Sequence, residues 1–238
     1  MGGIGDGIAW LFDGDHWQGS DGILTRLYEH LGLTIISVAI ACAIGIPVGL
    51  WLGHIGKGGA LAINISNVGR AIPVFALLAL LALTPLGRSN AGTVLALVLF
   101  ALPPILTNTY VGTREVDRDA VDAARGMGMS GMQLLRNVEV PLAMPLLMNG
   151  VRLAAVQVVA TASIAALVAG PGLGRIITNG FARQDQPQVV AGAILVALLA
   201  LVVEGAMEAM QRRLDPMRRA GRVSVGRPPD VIEAVTGS

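Results

Sequence analysis

The residue types that most often carry out chemistry are few in this sequence. Its three histidines, His16, His30 and His54, lie far apart and lack the spacing of a metal site. No Ser/His/Asp set and no pair of carboxylates falls on one predicted helix face, so the sequence gives little support to an enzyme within the chain. We therefore predict that the chain binds no metal or cofactor and catalyses no reaction of its own.

A glycine-rich run, GPGLG at residues 170–174, is the other candidate for chemistry, because glycine-rich loops can bind phosphate. It lacks the preceding strand and the following Lys-Ser/Thr of a phosphate loop. We instead interpret Gly170, Gly172 and Gly174 as part of a re-entrant turn or of a contact with another protein, with a simple loop as the alternative. We call residues 170–174 the Gly170 loop.

The composition indicates that these candidates lie on a membrane protein. Hydrophobic residues make up 53% of the chain and charged residues 14%, against roughly a quarter charged in ordinary soluble domains. The charges cluster and leave five apolar runs, each close to the ~20 residues that a helix needs to cross a bilayer. An open strand would leave backbone groups unpaired in lipid, so we predict an all-α polytopic membrane protein. The runs cover residues 31–52, 61–83, 91–111, 143–169 and 189–207.

The apolar runs divide the chain into three regions. Residues 1–30 carry Trp10, Trp17 and Tyr28, which suit a short helix at the outer membrane surface. Residues 31–210 form the predicted transmembrane domain. Residues 211–238 are basic and lack apolar periodicity, so we expect a disordered tail.

The basic residues predict the orientation. With the amino terminus outside, the cytoplasmic segments hold eleven Lys and Arg residues and the outer segments hold four, which satisfies the positive-inside rule. The carboxyl terminus and the loop between the third and fourth runs are then cytoplasmic. The net charge of +1 provides no global field that would attract nucleic acid.

That loop, residues 112–141, is polar and has a helical pattern, and we call it the Asp122 segment. Apolar residues recur every three to four positions, which predicts one apolar helix face. Glycines near Gly128 break the pattern into two short helices, and Ser130 is placed to cap the second. We expect Asp122 to stabilise the amino end of the first helix, and Pro141 to end the second and start the next span.

The spacing within this segment resembles the conserved cytoplasmic loop of the permease subunits of binding-protein-dependent ABC importers. In that family an acid and two alanines are followed by a glycine, two aliphatic residues and a proline. Here the acid is Asp where Glu is usual, and the aliphatic residues are Val where Ile and Leu are commoner. The matching positions are Asp122, Ala123, Ala124, Gly128, Val138, Val140 and Pro141.

Further stretches narrow the resemblance to the permeases of osmoprotectant importers. NTYVGTREVDRDAVDAARGMGM at residues 108–129 is very similar to that branch, and so are residues 33–54, 70–81 and 169–181. The resemblance implies a type I importer fold in which two permeases pair in the membrane. Separate ATPase subunits would bind ATP and Mg²⁺ and dock on residues 112–141. An outer binding protein would deliver glycine betaine, choline, carnitine or proline, and the Gly170 loop could contact it.

Two other functions stay open at this stage. The same machine could import methionine or another amino acid, and the sequence separates these cargoes by resemblance alone. An ion-coupled secondary transporter would need acidic residues in mid-span and inverted repeats. Glu204, near a predicted helix end, is thin support for that function.

Four residues within the spans have two interpretations each. Arg70 either lines the transport pathway or extends to the membrane surface. Pro73 either provides a hinge or a bent wall of that pathway, or bends its helix for packing. Arg152 and Glu204 either form an ion pair or extend separately to the surface.

Overall fold

The computed structural model describes residues 3–59, 64, 68–69, 71–168 and 170–214, and the ordered elements among them are helical. Three 3₁₀ turns cover Gly14–His16, Pro85–Arg88 and Ile164–Val168, and a π-helical turn covers Leu135–Glu139. The α-helices are α1 (Ile4–Phe12), α2 (Ile23–Ile55), α3 (Val74–Ala82), α4 (Ala91–Arg114), α5 (Arg118–Gly126), α6 (Gly131–Leu134), α7 (Val140–Ala162), α8 (Gly174–Arg183) and α9 (Gln186–Leu214). The predicted all-α fold is confirmed.

Four helices in the described part of the chain are long and apolar enough to cross a membrane. They are α2, α4, α9 and the continuous helix Gly131–Ala162, which contains α6, the π turn and α7. The shortest, α4, has 24 residues and is therefore about 36 Å long, more than the ~30 Å of hydrocarbon. Four of the five predicted spans are thus found as full-length helices.

The second predicted span, residues 61–83, is described only in part. Its ordered portion is α3, a helix of nine residues. Residues 60–63, 65–67 and 70 lie outside the described residues, and so do residues 215–238 of the predicted tail.

Helices α2 and α4 approach closely along three glycines of α2 that are four residues apart, Gly45, Gly49 and Gly53. A Cβ built on Gly49 would lie 2.7 Å from Cβ of Thr109, and one built on Gly53 would lie 2.6 Å from Cβ of Thr113. Small residues of this kind let membrane helices pack backbone against backbone.

Helix α7 packs against α4 in the same way. A Cβ on Gly112 of α4 would lie 3.1 Å from the carbonyl oxygen of Ala143, and one on Gly150 of α7 would lie 2.8 Å from that of Pro104. Helices α2, α4 and α7 therefore form the centre of the molecule. Their shared apolar core contains Leu33, Ala41, Leu97, Val98, Ala101, Ile105, Ala154, Val158 and Ala162.

The amino-terminal region differs from its predicted bounds. α2 begins at Ile23 rather than at residue 31, because no glycine or proline lies between Gly22 and residue 31, and Ile23 is itself buried against Leu173 and Ile176. Residues 23–30 thus form the first turns of α2. The remaining part, α1, packs on α9, where a Cβ on Gly7 would meet the side chain of Val190.

The functional candidates lie at two opposite ends of this bundle. α2 ends beside the π turn, where His54 contacts Glu139, and α9 ends beside α7. α2 begins beside the Gly170 loop, where the N–H of Gly172 donates to Glu29 at 3.0 Å. We call these the Asp122 end and the Gly170 end.

Candidate functional site

The Asp122 segment folds into two short helices, as predicted. Ser130 caps helix α6: its hydroxyl accepts from the N–H of Gln133 at 3.4 Å, and the Gln133 side chain accepts from the N–H of Ser130 at 2.8 Å. Such a reciprocal capping box satisfies two donors at a helix start. Gly128 lies between the helices with a φ of +83°, a conformation that glycine adopts without steric cost.

Asp122 lies in the second turn of α5 and not at its start, so the prediction that it stabilises the amino end of this helix is wrong. Asp117 takes that role, because its carboxylate accepts from the N–H of Asp119 at 2.8 Å. The Asp122 side chain is 73% exposed and lies 3.8 Å from Arg125, a distance at which a surface pair contributes little stability. Asp122 is therefore free to contact a partner.

The two helices are anchored by one face and exposed on the other. Ala124 and Leu134 are each only 2% exposed. Met127 and Met132 are 72% and 63% exposed, and Ala123 is also exposed. We call the exposed residues Ala123, Met127, Gly128 and Met132 the Met127 surface. Flexible methionines beside small residues are typical of surfaces that bind another protein.

Pro141 does not end the second helix, in contrast to the prediction. The helix continues from α6 through the π turn into α7, and the N–H of Val140 bonds to the carbonyl of Leu135, five residues back. Pro141 lies in the first turn of α7 and has no N–H to place, so the wider turn accommodates it. Val138 and Val140 are half-buried beside this turn.

A polar contact at this turn was missed by sequence reasoning. Glu139 is only 5% exposed, and its Oε2 lies 2.6 Å from Nδ1 of His54. Both residues line a cavity of about 140 Å³ that Asp122 and Arg125 also line. Glu139 sits between the two valines of the family motif, and 85 positions separate it from His54, so no local pattern indicates the pair.

The Gly170 loop is held inside the protein. Gly170, Gly172 and Gly174 are all buried, and Gly172 has a φ of +104°. The N–H of Gly172 donates to the carboxylate of Glu29 at 3.0 Å. Any contact that this loop makes with another protein would therefore use its neighbours, such as Leu167, which is 61% exposed.

His30, which follows Glu29 in α2, also holds the Gly170 loop in place. Its Nδ1 accepts from the N–H of Leu173 at 3.3 Å, so its Nε2 carries the proton and donates to the carbonyl of Val159 at 3.0 Å. The ring is fully buried. His30 thus has a structural role, since it joins α2 to both the Gly170 loop and α7. The described residues contain no cluster of metal-binding side chains.

The remaining candidates are placed as follows. Arg70 lies outside the described residues. Pro73 precedes α3 as its N-cap, with an extended backbone, so it breaks the chain direction and does not bend a continuous helix. Arg152 and Glu204 do form an ion pair, with Nε and Oε1 3.0 Å apart, between α7 and α9.

Comparison with known proteins adds to this geometry. Residues 45–216 match the family model described as "Binding-protein-dependent transport system inner membrane component". The chain is 36% identical to the carnitine transport permease protein OpuCB of Listeria monocytogenes over 211 residues, covering 89% of this chain and 94% of that protein. It is 30% identical to the glycine betaine/carnitine/choline transport system permease protein OpuCB of Bacillus subtilis, covering 85% and 93%.

The fold also resembles a solved structure. A chain of the MetNI methionine ABC transporter, in inward-facing conformations, superposes with a TM-score of 0.69 at 24% sequence identity, covering 81% of this chain and 95% of that one. At this identity the likeness concerns the fold. It agrees with the type I importer architecture expected from the sequence.

Proposed function

Because this chain belongs to the family of inner-membrane components of binding-protein-dependent transport systems, we propose that its Asp122 segment is the docking site for the ATPase subunits. The chain is a multi-pass permease subunit of an ABC importer and a transport component, not an enzyme. Hydrolysis belongs to separate subunits, and we propose that ATP and Mg²⁺ bind there. We also propose that the Asp122 end faces the cytoplasm.

The observation that carries the proposal is the Met127 surface. Two large apolar side chains project from the exposed face of the Asp122 segment, where no helix in the described part of the chain covers them. Ala123 and Gly128 add little bulk beside them, so a partner groove can approach the backbone. Exposed Asp122 can pair with a basic residue at the rim of such a groove.

The anchoring of the segment supports the transmission of movement. Ala124 and Leu134 fix its buried face, and α6 continues without a break into the spanning helix α7. A displacement of the docked helices is therefore passed on to α7 directly. In the alternating-access cycle that we propose, closure of the ATPases moves two such segments together and opens the permease pair outward. Hydrolysis reverses the movement.

We propose a quaternary-ammonium or related osmoprotectant as cargo, in keeping with the carnitine, choline and glycine betaine named for the relatives. Such cations are recognised best by aromatic cages. Only 4% of this chain is aromatic, so selectivity is assigned to the binding protein. We propose that the binding protein docks at the Gly170 end, on exposed neighbours of the Gly170 loop.

A bulky side chain on the Met127 surface tests ATPase docking. In Ala123→Trp the indole occupies the space that a partner groove would need, while the helical backbone tolerates it. We expect the ATPase subunits to be lost on purification and uptake to collapse. The matched control is Gly205→Trp on α9, where nothing lies within 4 Å of an added Cβ. Normal ATPase recovery and uptake in Ala123→Trp would contradict the proposal.

A transport assay tests the cargo and the energy source. Vesicles containing the permease and its ATPases are supplied with the binding protein and labelled carnitine or glycine betaine. We expect uptake to require internal ATP and to persist in the presence of an uncoupler. Methionine uptake without osmoprotectant uptake would identify the other cargo. Uptake that survives ATP removal and stops with the uncoupler would indicate an ion-coupled transporter.

A further inference from the structure

Glu139 is a buried carboxylate at the end of the π turn, with 5% of its surface exposed. A buried charge is costly unless it is paired and hydrogen-bonded. Its partner is His54, and because a carboxylate can only accept, Nδ1 of His54 donates to Oε2 across 2.6 Å. His54 and Glu139 are therefore joined by a hydrogen bond and are not merely packed side by side.

The pair joins two elements that the chain does not connect directly. His54 lies in the last turn of α2, whereas Glu139 closes the π turn that links α6 to α7. α4 and α7 are continuous with the Asp122 segment through the backbone. α2 is not continuous with that segment along the chain, so it can follow the movement of the segment only through side-chain contacts.

Neighbouring residues hold the imidazole in place on both sides. Nε2 of His54 would lie 3.3 Å from a Cβ built on Gly131, the first residue of α6. On α2 itself, Gly53 fits against Thr113 of α4 with no room for a side chain. His54 therefore lies between the start of α6 and the buried carboxylate of Glu139, at the end of α2 that packs closely on α4.

The π turn gives Glu139 its direction. One extra residue in a helical turn offsets the faces before and after it by about 100°. α6 can thus present Met132 outward while Glu139 faces the interior, where it is buried. Turns of this kind occur frequently at functional sites.

We propose that His54 and Glu139 are a positioning pair that couples α2 to the Asp122 segment, so that movement of the docked helices reaches the first spanning helix. This inference rests on the proposed function and goes beyond it, since it assigns a role to two residues outside the family motif. The cavity that the pair shares with Asp122 and Arg125 places the docking helix α5 against the same contact.

The test compares Glu139→Met with Glu139→Gln in the complete complex. Methionine fills a similar volume without an acceptor at that position, and burial suits it. Glutamine keeps a carbonyl that accepts from His54. We expect Glu139→Met to lower the number of carnitine molecules imported per ATP hydrolysed by about fivefold or more, with Glu139→Gln close to the native ratio. ATPase subunits should remain bound to both variants.

The matched control is Glu204→Met. It removes the acceptor of the Arg152 pair between α7 and α9, at a similar distance but away from α2. It should leave the transport ratio unchanged. The inference would be overturned if Glu139→Met imported as much carnitine per ATP hydrolysed as the native complex. It would also be overturned if Glu204→Met lowered this ratio as much as Glu139→Met does.

A second variant covers the case in which Glu139→Met fails to assemble. His54→Cys and Glu139→Cys are combined in a Cys42→Ala background and joined with a short bifunctional thiol reagent. Before treatment, the double-cysteine variant should import few carnitine molecules per ATP hydrolysed. Crosslinking the two cysteines should restore the native number, and a number that stays low would overturn the inference. The native complex in the same vesicles separates the two proposals: if it imports no osmoprotectant, the proposed function fails, whatever the pair does.

Discussion

Gly172 shows how much a single residue of the Gly170 loop is constrained. Its φ of +104° is unfavourable for any residue with a side chain. A Cβ at this position would also lie 3.0 Å from Nδ1 of His30. Two independent conditions, one of the backbone and one of packing, therefore require glycine at the contact between α2 and the loop.

We predict that Gly172→Ala lowers the thermal unfolding temperature of the purified permease, because the strained backbone alone costs about 1–2 kcal/mol. Gly32→Ala in α2 is the control, since nothing lies within 4 Å of its added Cβ. It should be neutral or more stable by up to about 1 kcal/mol. Equal unfolding temperatures for the two variants would contradict the prediction.

Residue chemistry explains which parts of the site were predictable. The cap at Ser130 and the break at Gly128 depend on neighbours in sequence, so the local pattern was sufficient to predict them. The pair of His54 and Glu139 and the clasp of Glu29 on Gly172 join positions far apart in the chain. Nothing local indicates such partners, because the packing of α2 with α4 and α7 in one core brings them together.

At the level of elements, apolar periodicity predicted the long helices well and their bounds less well. α2 begins at Ile23, since polar residues such as Arg26 and Glu29 pair with each other at 2.8 Å and let the helix continue beyond the apolar run. The second helix of the Asp122 segment does not stop at Pro141, because the wider π turn before it accommodates a residue that has no backbone N–H to donate. Charge and proline are thus poor markers of where these helices end.

The glycine contact between α2 and α4 leads to a second prediction. In Gly49→Ala the new Cβ would lie 2.7 Å from Cβ of Thr109 and 3.0 Å from the carbonyl oxygen of Leu106. No rotamer change can move a Cβ or a backbone oxygen, so the helices must separate. We expect a loss of about 1–3 kcal/mol in stability, measured as a lower unfolding temperature in detergent.

Gly205→Ala on α9 provides the matched control for that helix contact. Its added Cβ meets nothing within 4 Å, so the variant should unfold at or above the native temperature. If Gly49→Ala were as stable as Gly205→Ala, α2 and α4 could not be packed as closely as described.

For the whole molecule, the two ends of the bundle predict opposite sides of the membrane. In a Cys42→Ala background, Tyr28→Cys lies at the Gly170 end and Met127→Cys lies on the Met127 surface. Tyr28 and Met127 are 75% and 72% exposed. We expect a membrane-impermeant thiol reagent to label Tyr28→Cys in intact cells and Met127→Cys in inverted vesicles.

Adding the ATPase subunits to the inverted vesicles refines this experiment. They should protect Met127→Cys, because its side chain would then be covered, whereas Tyr28→Cys in intact cells should react as before. Labelling of Met127→Cys from outside intact cells would reverse the proposed orientation and remove the docking site from the cytoplasm.

The exposed surface of the molecule is largely apolar along α2 and α9. Apolar side chains along α2, among them Ile36, Ile40 and Trp51, are exposed, and only 11% of the most apolar stretch of α9 is buried. Lipid covers such surfaces at no cost in hydration, and in the permease pair that we propose a second subunit would cover part of them. The isolated subunit is therefore unsuited to water, in agreement with its hydropathy.

α2 has 33 residues and is about 50 Å long, which exceeds the 40–45 Å of a whole bilayer with its headgroups. It is bonded at Glu29 to the Gly170 loop and at His54 to the π turn. One continuous helix, with Pro47 inside it, is thus bonded to other elements near both of its ends. If a receptor docks at one face, its arrival can be felt at the nucleotide side through α2 and the helix α4 packed against it, which would move together because their glycine contacts hold them in register.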